Sequence, residues 1–227
     1  MKLSLRSEIP QLALIVLMFA LAAWSWPRLP DQIPTHWNIQ GQIDGHGSKF
    51  VGLLLLPLTV LGLYCLMIVL PFVDPGRANF RNFAKTYNLL RLGFVAFMAM
   101  LYAATVAAAF GRKIDITSVA FLGTAVLFFV IGNVMGKIRP NWFVGVRTPW
   151  TLSSKLSWDK THRLAGWLFL VMGAAFAVVA FVHSAWTFAA MVTLDVICLV
   201  WIVIYSYIVY RSDPHPTPPS GTSPSAD

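Results

Sequence analysis

Six apolar runs, each close to the length that crosses a bilayer, constrain the fold of this chain more than any other feature. They cover residues 9–26, 50–73, 92–110, 116–135, 164–182 and 185–210. A helix rises about 1.5 Å per residue, so about 20 residues cross the hydrocarbon core. Because lipid offers no hydrogen-bond partners to the backbone, each run is predicted to be helical. We expect an all-α, polytopic integral membrane protein with six transmembrane helices.

The composition supports this fold class. The chain is 57% hydrophobic and 11% charged, whereas soluble domains carry about 25% charged residues. The first run follows Lys2 and Arg6 as in a signal peptide, but Ala20 to Ala23 precede Trp-Ser-Trp-Pro rather than a polar mature start. We therefore expect a retained first helix. Both cysteines lie inside apolar runs, which indicates buried thiols rather than a disulfide framework.

Positive charge is distributed unevenly between the segments that join the runs. Thirteen of the seventeen Lys and Arg residues lie before the first run, after the last, or in the connections 74–91 and 136–163. By the positive-inside rule, both termini and these two connections are cytoplasmic, and the connection 27–49 faces outward. The rule also explains the net charge of +8 without a nucleic-acid partner. The expected location is the bacterial cytoplasmic (inner) membrane.

The spacing of the runs predicts three units. Residues 1–75 form a two-span membrane domain with an outer loop, and residues 76–211 form a four-span domain. Residues 212–227 are rich in Pro, Ser and Thr and contain no apolar run. This tail is predicted to be disordered.

The connection 27–49 has a specified shape. It reads PRLPDQIPTHWNIQGQIDGHGSK, in which prolines favour extended backbone before them and Asp-Gly and Gly residues favour turns. The side chains of His36, Asp44 and His46 suit zinc, but their spacing matches no strong ligand pattern. We therefore expect a loop whose polar side chains close its own turns, and no metal. The candidate outer-loop residues are His36, Trp37, Asn38, Gly41 and Asp44.

The segment 133–163 contains more charged and aromatic side chains than membrane topology alone requires. It reads NVMGKIRPNWFVGVRTPWTLSSKLSWDKTHR and holds six of the seventeen Lys and Arg residues, three Trp and a His. Ser157 is a plausible N-cap of the next helix, and Asp159 lies four residues before Arg163, at ion-pair spacing.

Three interpretations of this segment remain open. Its cations and Trp residues can serve topology and interfacial anchoring alone. Arg139, Arg147 and Arg163 can instead bind a lipid headgroup or a partner protein, since guanidinium forks suit phosphate and carboxylate. Catalysis centred on His162 is the third, although the sequence shows no nucleophile or carboxylate partner for it.

Asp195 lies near the middle of the sixth run. A charge at that depth costs at least about 2.5 kcal/mol, so an acid there is a functional hypothesis by default. It can hydrogen-bond Thr59, Thr105 or Thr124 on neighbouring helices, or it can take a proton or a ligand. No second acid lies in the middle of another run, which argues against an ion-coupled transporter.

The segment 133–163 resembles the signature of the SdpI-type immunity proteins, and the segment 34–44, PTHWNIQGQID, resembles the small uncharacterised membrane domain that precedes it in that family. The resemblance implies a protein that protects a bacterium from a secreted, membrane-active peptide and that signals to a cytoplasmic repressor. Its implied partners are membrane lipids, the toxin peptide and the repressor. It implies no enzyme activity, no catalytic residue and no cofactor.

The resemblance also implies a shared site at the second segment. Its residues are Asn133, Gly136, Lys137, Arg139, Asn141, Gly145, Arg147, Thr148, Trp150, Thr161, His162 and Arg163. The alternative is a membrane enzyme or lipid-headgroup-handling protein that uses the His and Arg residues of the same segment.

Overall fold

The computed structural model describes residues 5–219 of the chain. Its elements, in chain order, are α1 (Leu5–Ser25), β1 (Gln32–Trp37), β2 (Ile43–Ser48), α2 (Leu56–Val73), α3 (Ala84–Ala109), α4 (Ile116–Met135), α5 (Pro149–Ser153), α6 (Lys155–Phe181) and α7 (Ala185–Arg211). Residues 212–219 follow α7 without helix or strand. The remainder of the predicted tail, residues 220–227, lies outside the described residues.

Within residues 5–219, all the helices except α5 are long and apolar enough to cross a bilayer. The prediction of six transmembrane helices in a multi-pass membrane protein is thereby confirmed. One feature differs from the all-α expectation, because the first connection forms a small antiparallel sheet in which β1 pairs with β2. The orientation of the termini remains a prediction.

The hairpin of β1 and β2 lies at one end of the helix bundle, which we call the hairpin end. There the Thr117 hydroxyl, at the start of α4, donates to the Asn38 carbonyl at 2.9 Å. The connection after α6 reaches the same place, since His183 Nε2 lies 2.9 Å from the Ser118 hydroxyl. The starts of α4 and α7 are therefore held together beside the hairpin.

The opposite end of the bundle contains the connections 74–83 and 136–154 and the residues after α7, and we call it the basic end. The Asn79 amide group donates to the Pro140 carbonyl at 2.8 Å, which joins the two connections. The Ser154 hydroxyl donates to Asp213 at 2.6 Å, which joins the second connection to the segment after α7. The helices thus separate two differently built ends.

Three helices begin earlier than their apolar runs predicted: α1 begins at Leu5 rather than at residue 9, and the difference is larger for α3 and α6. α3 begins at Ala84 rather than at residue 92, and α6 begins at Lys155 rather than at residue 164. The predicted N-cap of α6 is wrong: the Ser154 side chain is the cap and accepts from the Ser157 amide at 3.0 Å. A helix requires caps and tertiary partners rather than continuous apolarity, so these polar first turns lie inside the helices.

α6 and α4 pack with their backbones in close contact at one glycine on each helix. A Cβ added at Gly132 would lie 2.8 Å from the Gly166 carbonyl oxygen, and one added at Gly166 would lie 2.8 Å from the Gly132 oxygen. Small residues that let two membrane helices approach this closely maximise van der Waals contact. This crossing fixes the start of α6 against the end of α4 and so positions the basic end.

A buried ion pair joins α1 to α3 across the predicted domain boundary at residue 75. Arg91, 1% exposed, donates to both carboxylate oxygens of Glu8, at 3.0 and 2.8 Å. The Tyr64 hydroxyl of α2 donates to the same carboxylate at 2.8 Å, and the Asn88 amide oxygen accepts from Arg91 at 2.9 Å. The paired charges satisfy each other out of contact with water, and these contacts link α1, α2 and α3.

The predicted partners of Asp195 are wrong. Thr59, Thr105 and Thr124 each donate to a carbonyl of their own helix. Asp195 Oδ1 is enclosed and has no hydrogen-bond partner in the described part of the chain. A Thr hydroxyl can satisfy itself on the preceding helical turn, so a helix to helix bond does not follow from the presence of a Thr.

Removing one member of the buried ion pair should destabilise the bundle more than removing both. We expect Arg91→Leu to cost about 3–5 kcal/mol, because it leaves the Glu8 carboxylate buried without a counter-charge. The double variant Glu8→Leu, Arg91→Leu should regain most of that loss. Thermal unfolding of the detergent-solubilised protein measures both, with Lys85→Leu, at an exposed position, as the control. Equal melting temperatures for Arg91→Leu and Lys85→Leu would contradict this account of the pair.

Candidate functional site

The segment 136–163, which we call the basic loop although it includes α5 and the first turns of α6, divides into an exposed and a buried set. The twelve predicted residues lie in this segment, except for Asn133, which lies near the end of α4. The exposed ones are Asn133, Gly136, Lys137, Arg139, Arg147 and Arg163. Gly145 and Trp150 are half-buried, and Asn141, Thr148, Thr161 and His162 are buried. The structure therefore brings the predicted residues together at one end of the bundle, but on two faces with different chemistry.

Asn141 folds the first part of the basic loop. Its amide nitrogen donates to the carbonyls of Arg139 at 2.8 Å and Val144 at 2.9 Å. Its amide oxygen accepts from the backbone amides of Phe143 at 2.9 Å and Val144 at 2.6 Å. Such side-chain bonds replace the backbone partners that a helix would supply. Asn141 is thus a structural residue of the site.

His162 fastens the loop to α6. Its Nδ1 donates to the Trp158 carbonyl at 2.8 Å, and its Nε2 accepts from the Val146 backbone amide at 3.1 Å. The ring also stacks on Trp158, with centroids 4.1 Å apart. A nitrogen that accepts from an amide cannot carry a proton, so these partners fix a neutral ring with the proton on Nδ1.

Gly145 lets the loop pass directly over that ring. Its φ of 107° is a conformation that L side chains rarely adopt, and a Cβ there would clash with His162 Nε2. Glycine has no Cβ and tolerates positive φ. The loop backbone can therefore lie directly against the His162 ring only because residue 145 is a glycine.

Thr148 connects the basic loop to α7. It caps α5 in a capping box with Thr151, and its hydroxyl lies 3.0 Å from the Ser206 hydroxyl. Ser157 of α6 donates to the Ser206 carbonyl at 2.8 Å, and Trp150 packs its ring on Tyr207, with centroids 5.1 Å apart. α5, α6 and α7 therefore meet through buried hydroxyl groups beneath the loop.

Asp74, which follows α2, is a site residue that the sequence reasoning missed. It is 1% exposed, and its carboxylate accepts from the backbone amides of Trp142 at 3.0 Å and Gly76 at 2.6 Å. An Asp directly before Pro-Gly after an apolar run is a turn former, which was the available signal. Trp142 lies 68 residues away from Asp74 in sequence, so this contact could not be found without the structure.

The exposed face of the basic end is strongly positive. Its exposed Lys and Arg residues are Arg77, Arg81, Lys85, Lys137, Arg139, Arg147, Lys155, Lys160, Arg163 and Arg211. Arg147 donates to the Trp142 carbonyl at 2.7 Å. Asp159 pairs with Lys155 at 2.7 Å, so the predicted Asp159–Arg163 pair is wrong. The surface that remains is suited to an anionic partner.

The predicted outer-loop residues form the turn of the hairpin. The Asn38 amide oxygen accepts from the backbone amides of Gln40 at 3.0 Å and Gln42 at 2.9 Å. Gly41 takes the φ of 76° that closes the turn. His36 Nδ1 and Asp44 Oδ1 lie 2.5 Å apart across the strands. These side chains therefore close their own turn, as the sequence predicted, and they lie at the end opposite to the basic loop.

Asp115 ties the hairpin turn to the bundle. Burial alone would raise the pKa of this carboxyl group, but hydrogen bonds from the Ser118 amide and hydroxyl, with His183 nearby, hold its pKa below the usual value. The carboxylate therefore stays ionised at neutral pH. A Cβ at Gly41 would lie 3.1 Å from it, so the turn rests directly on this cap of α4.

The Gly145–His162 contact gives a test of the basic loop. We expect Gly145→Ala to destabilise the protein by about 1–3 kcal/mol, because it adds a Cβ at a positive φ over a buried ring. Thermal unfolding in detergent is the measurement. Gly136→Ala is the matched control, since its φ is −68° and its Cβ would meet nothing within 4 Å. If the two variants unfold at the same temperature, the ring does not hold the loop.

Two family models match different parts of the chain. Residues 137–206 match the model of the SdpI/YfhL protein family, and residues 13–61 match a domain of unknown function named DUF1648. The second match covers most of α1, the hairpin and the start of α2. No solved structure is significantly similar to the chain.

A curated relative matches nearly the whole chain. The chain is 24% identical over 207 residues to a protein of Bacillus subtilis (strain 168) named immunity protein SdpI, covering 91% of this chain and 97% of that protein. The similarity therefore extends over most of the chain rather than over the basic loop alone. The predicted resemblance to the SdpI-type family, with its preceding uncharacterised membrane domain, is thereby confirmed.

Proposed function

We propose that this protein is a bacterial immunity protein that protects the cell from a secreted, membrane-active peptide. The observation that carries the proposal is the similarity to immunity protein SdpI over almost the full length of both chains. A peptide that acts on membranes must be met within or at the surface of the bilayer. A six-helix membrane protein with differently built ends is suited to that task.

In this proposal the hairpin end faces outward and the basic end faces the cytoplasm. The charge distribution supports the orientation, because the exposed cations are concentrated at the basic end and positive residues remain on the cytoplasmic side. The hairpin, with Trp37, Asn38 and the His36–Asp44 pair, would then meet the peptide first.

The basic end would signal to a cytoplasmic repressor. Arg139 and Arg163 are exposed there, and their guanidinium groups suit a carboxylate surface. A peptide changes the affinity for the repressor only if it binds one arrangement of the helices better than another. The buried contacts among α5, α6 and α7 provide the elements whose arrangement the peptide would shift.

The alternative, an enzyme or headgroup-handling protein that uses His162, has less support. Both ring nitrogens of His162 are occupied by backbone partners, and the side chain is 1% exposed. A general base needs a free nitrogen within reach of substrate. The exposed arginines remain compatible with lipid headgroups as an accessory interaction.

Heterologous protection tests the proposal. The chain is expressed in Bacillus subtilis that lacks immunity protein SdpI, and the cells are challenged with culture medium from wild-type strain 168 and from the source bacterium. We expect survival above that of the empty-vector strain in at least one medium, with the Bacillus protein as the positive control. Killing equal to the empty vector in both media, with this chain present in the membrane, would contradict immunity.

A further inference from the structure

A lateral cleft opens at the hairpin end between α2 and α4, with α3 as its floor and β1 as its roof. Its volume is 720 Å³, within the range of about 300–1,000 Å³ that is typical of binding sites. The walls are mostly apolar, and the hairpin and the helices each contribute a few polar groups. Lining residues include Leu55 of the turn before α2, Thr59 of α2, Leu101 and Thr105 of α3, and Ala120 and Phe121 of α4.

The cleft faces the lipid. Leu55 and Val51 on one wall are 51% and 43% exposed, and Phe188 on the other side is 39% exposed. These side chains belong to segments that are long and apolar enough to span a bilayer, so we expect their exposed surfaces to face acyl chains rather than water. A ligand already dissolved in the bilayer can therefore enter sideways, without crossing an aqueous phase.

The backbone around the cleft departs from regular geometry in two places. Residues Val51–Leu55 form a π-helical turn before α2, and three of them line the cleft. β1 has register irregularities between Pro34 and His36 and between His36 and Trp37, and these residues line it too. π-turns and β-bulges are both concentrated at functional sites.

The roof of the cleft offers a strand edge. Residues 34–39 all line the cleft, and no residue of β2 does. Within the described residues β1 pairs with β2 alone, so its other edge is unpaired. Pro34 has no amide hydrogen and the Asn38 amide and carbonyl are already bonded, so the groups open to another chain are among those of Thr35, His36 and Trp37. A free strand edge presents backbone amides and carbonyls that pair with another peptide chain. An acyl chain has no groups to use that edge, which distinguishes a peptide from a lipid as occupant.

We propose that this cleft binds an apolar segment of a membrane-active peptide, which enters from the bilayer and aligns its backbone with β1. The proposal rests on the proposed function and names the part of the protein that meets the peptide. Side chains of the peptide would fill the space between α2 and α4, while its backbone would use the edge of the hairpin. Neither the basic loop nor any catalytic group takes part in this step.

Filling the cleft from either wall tests the proposal by the same survival assay. Ala120→Trp fills it from α4, and Thr59→Trp fills it from α2. The matched controls are Ala103→Trp and Leu58→Trp, since both positions are exposed and neither lines the cleft. Membrane abundance and thermal unfolding are measured for each variant, and a cleft variant is scored only if it matches its control in both.

The expected result is that both cleft variants lower the tolerated concentration of peptide-containing medium by about tenfold or more, equivalent to about 1.4 kcal/mol of binding, while both controls protect like wild type. Full protection by a folded cleft variant would overturn the cleft proposal and leave the immunity function standing. Failure of the wild-type chain itself to protect would overturn the function, and the cleft proposal with it.

Discussion

Water is absent from the bilayer core, so a polar group buried there is stabilised by a partner within the protein. Both ends of the bundle are organised by that requirement. Glu8 and Arg91 neutralise each other between α1 and α3, and Asn141 and His162 satisfy the backbone of the basic loop where it turns over α6. Asp195 in α7 is an exception, since its Oδ1 has no partner in the described part of the chain. The residues that remain exposed, the arginines at one end and the hairpin at the other, are the ones free to meet partners.

This division separates structure from recognition within one motif. A sequence signature of twelve residues looks like a single site, yet its members have different roles. The buried Thr148 joins the loop to α7, and the buried His162 holds the loop against α6. The exposed members, such as Arg139 and Arg163, face outward from the loop. The peptide-binding role that we propose lies at the opposite end, under β1. α4 runs from the hairpin end to the basic end and crosses α6 closely at Gly132 and Gly166.

Much of the architecture could be predicted from the sequence, because helix number follows from apolar length. The hairpin strands could not, since the Gly-rich segment 43–48 has little strand propensity and only Ile33 of β1 is buried. The partners of Asp74 and Arg91 could not be predicted either, because they lie 68 and 83 residues away in sequence. Pairing between helices depends on their rotation and depth, which a single sequence does not specify.

The central claim is that the hairpin end and the basic end lie on opposite sides of the membrane, with the hairpin outside. Single cysteines at the exposed positions Ser48 and Ser153, in a chain whose Cys65 and Cys198 are replaced by Ala, test it with a thiol reagent that cannot cross the bilayer. We expect the Ser48→Cys protein to be labelled in intact cells and the Ser153→Cys protein only after permeabilisation. Labelling of Ser153→Cys but not Ser48→Cys in intact cells would contradict the account.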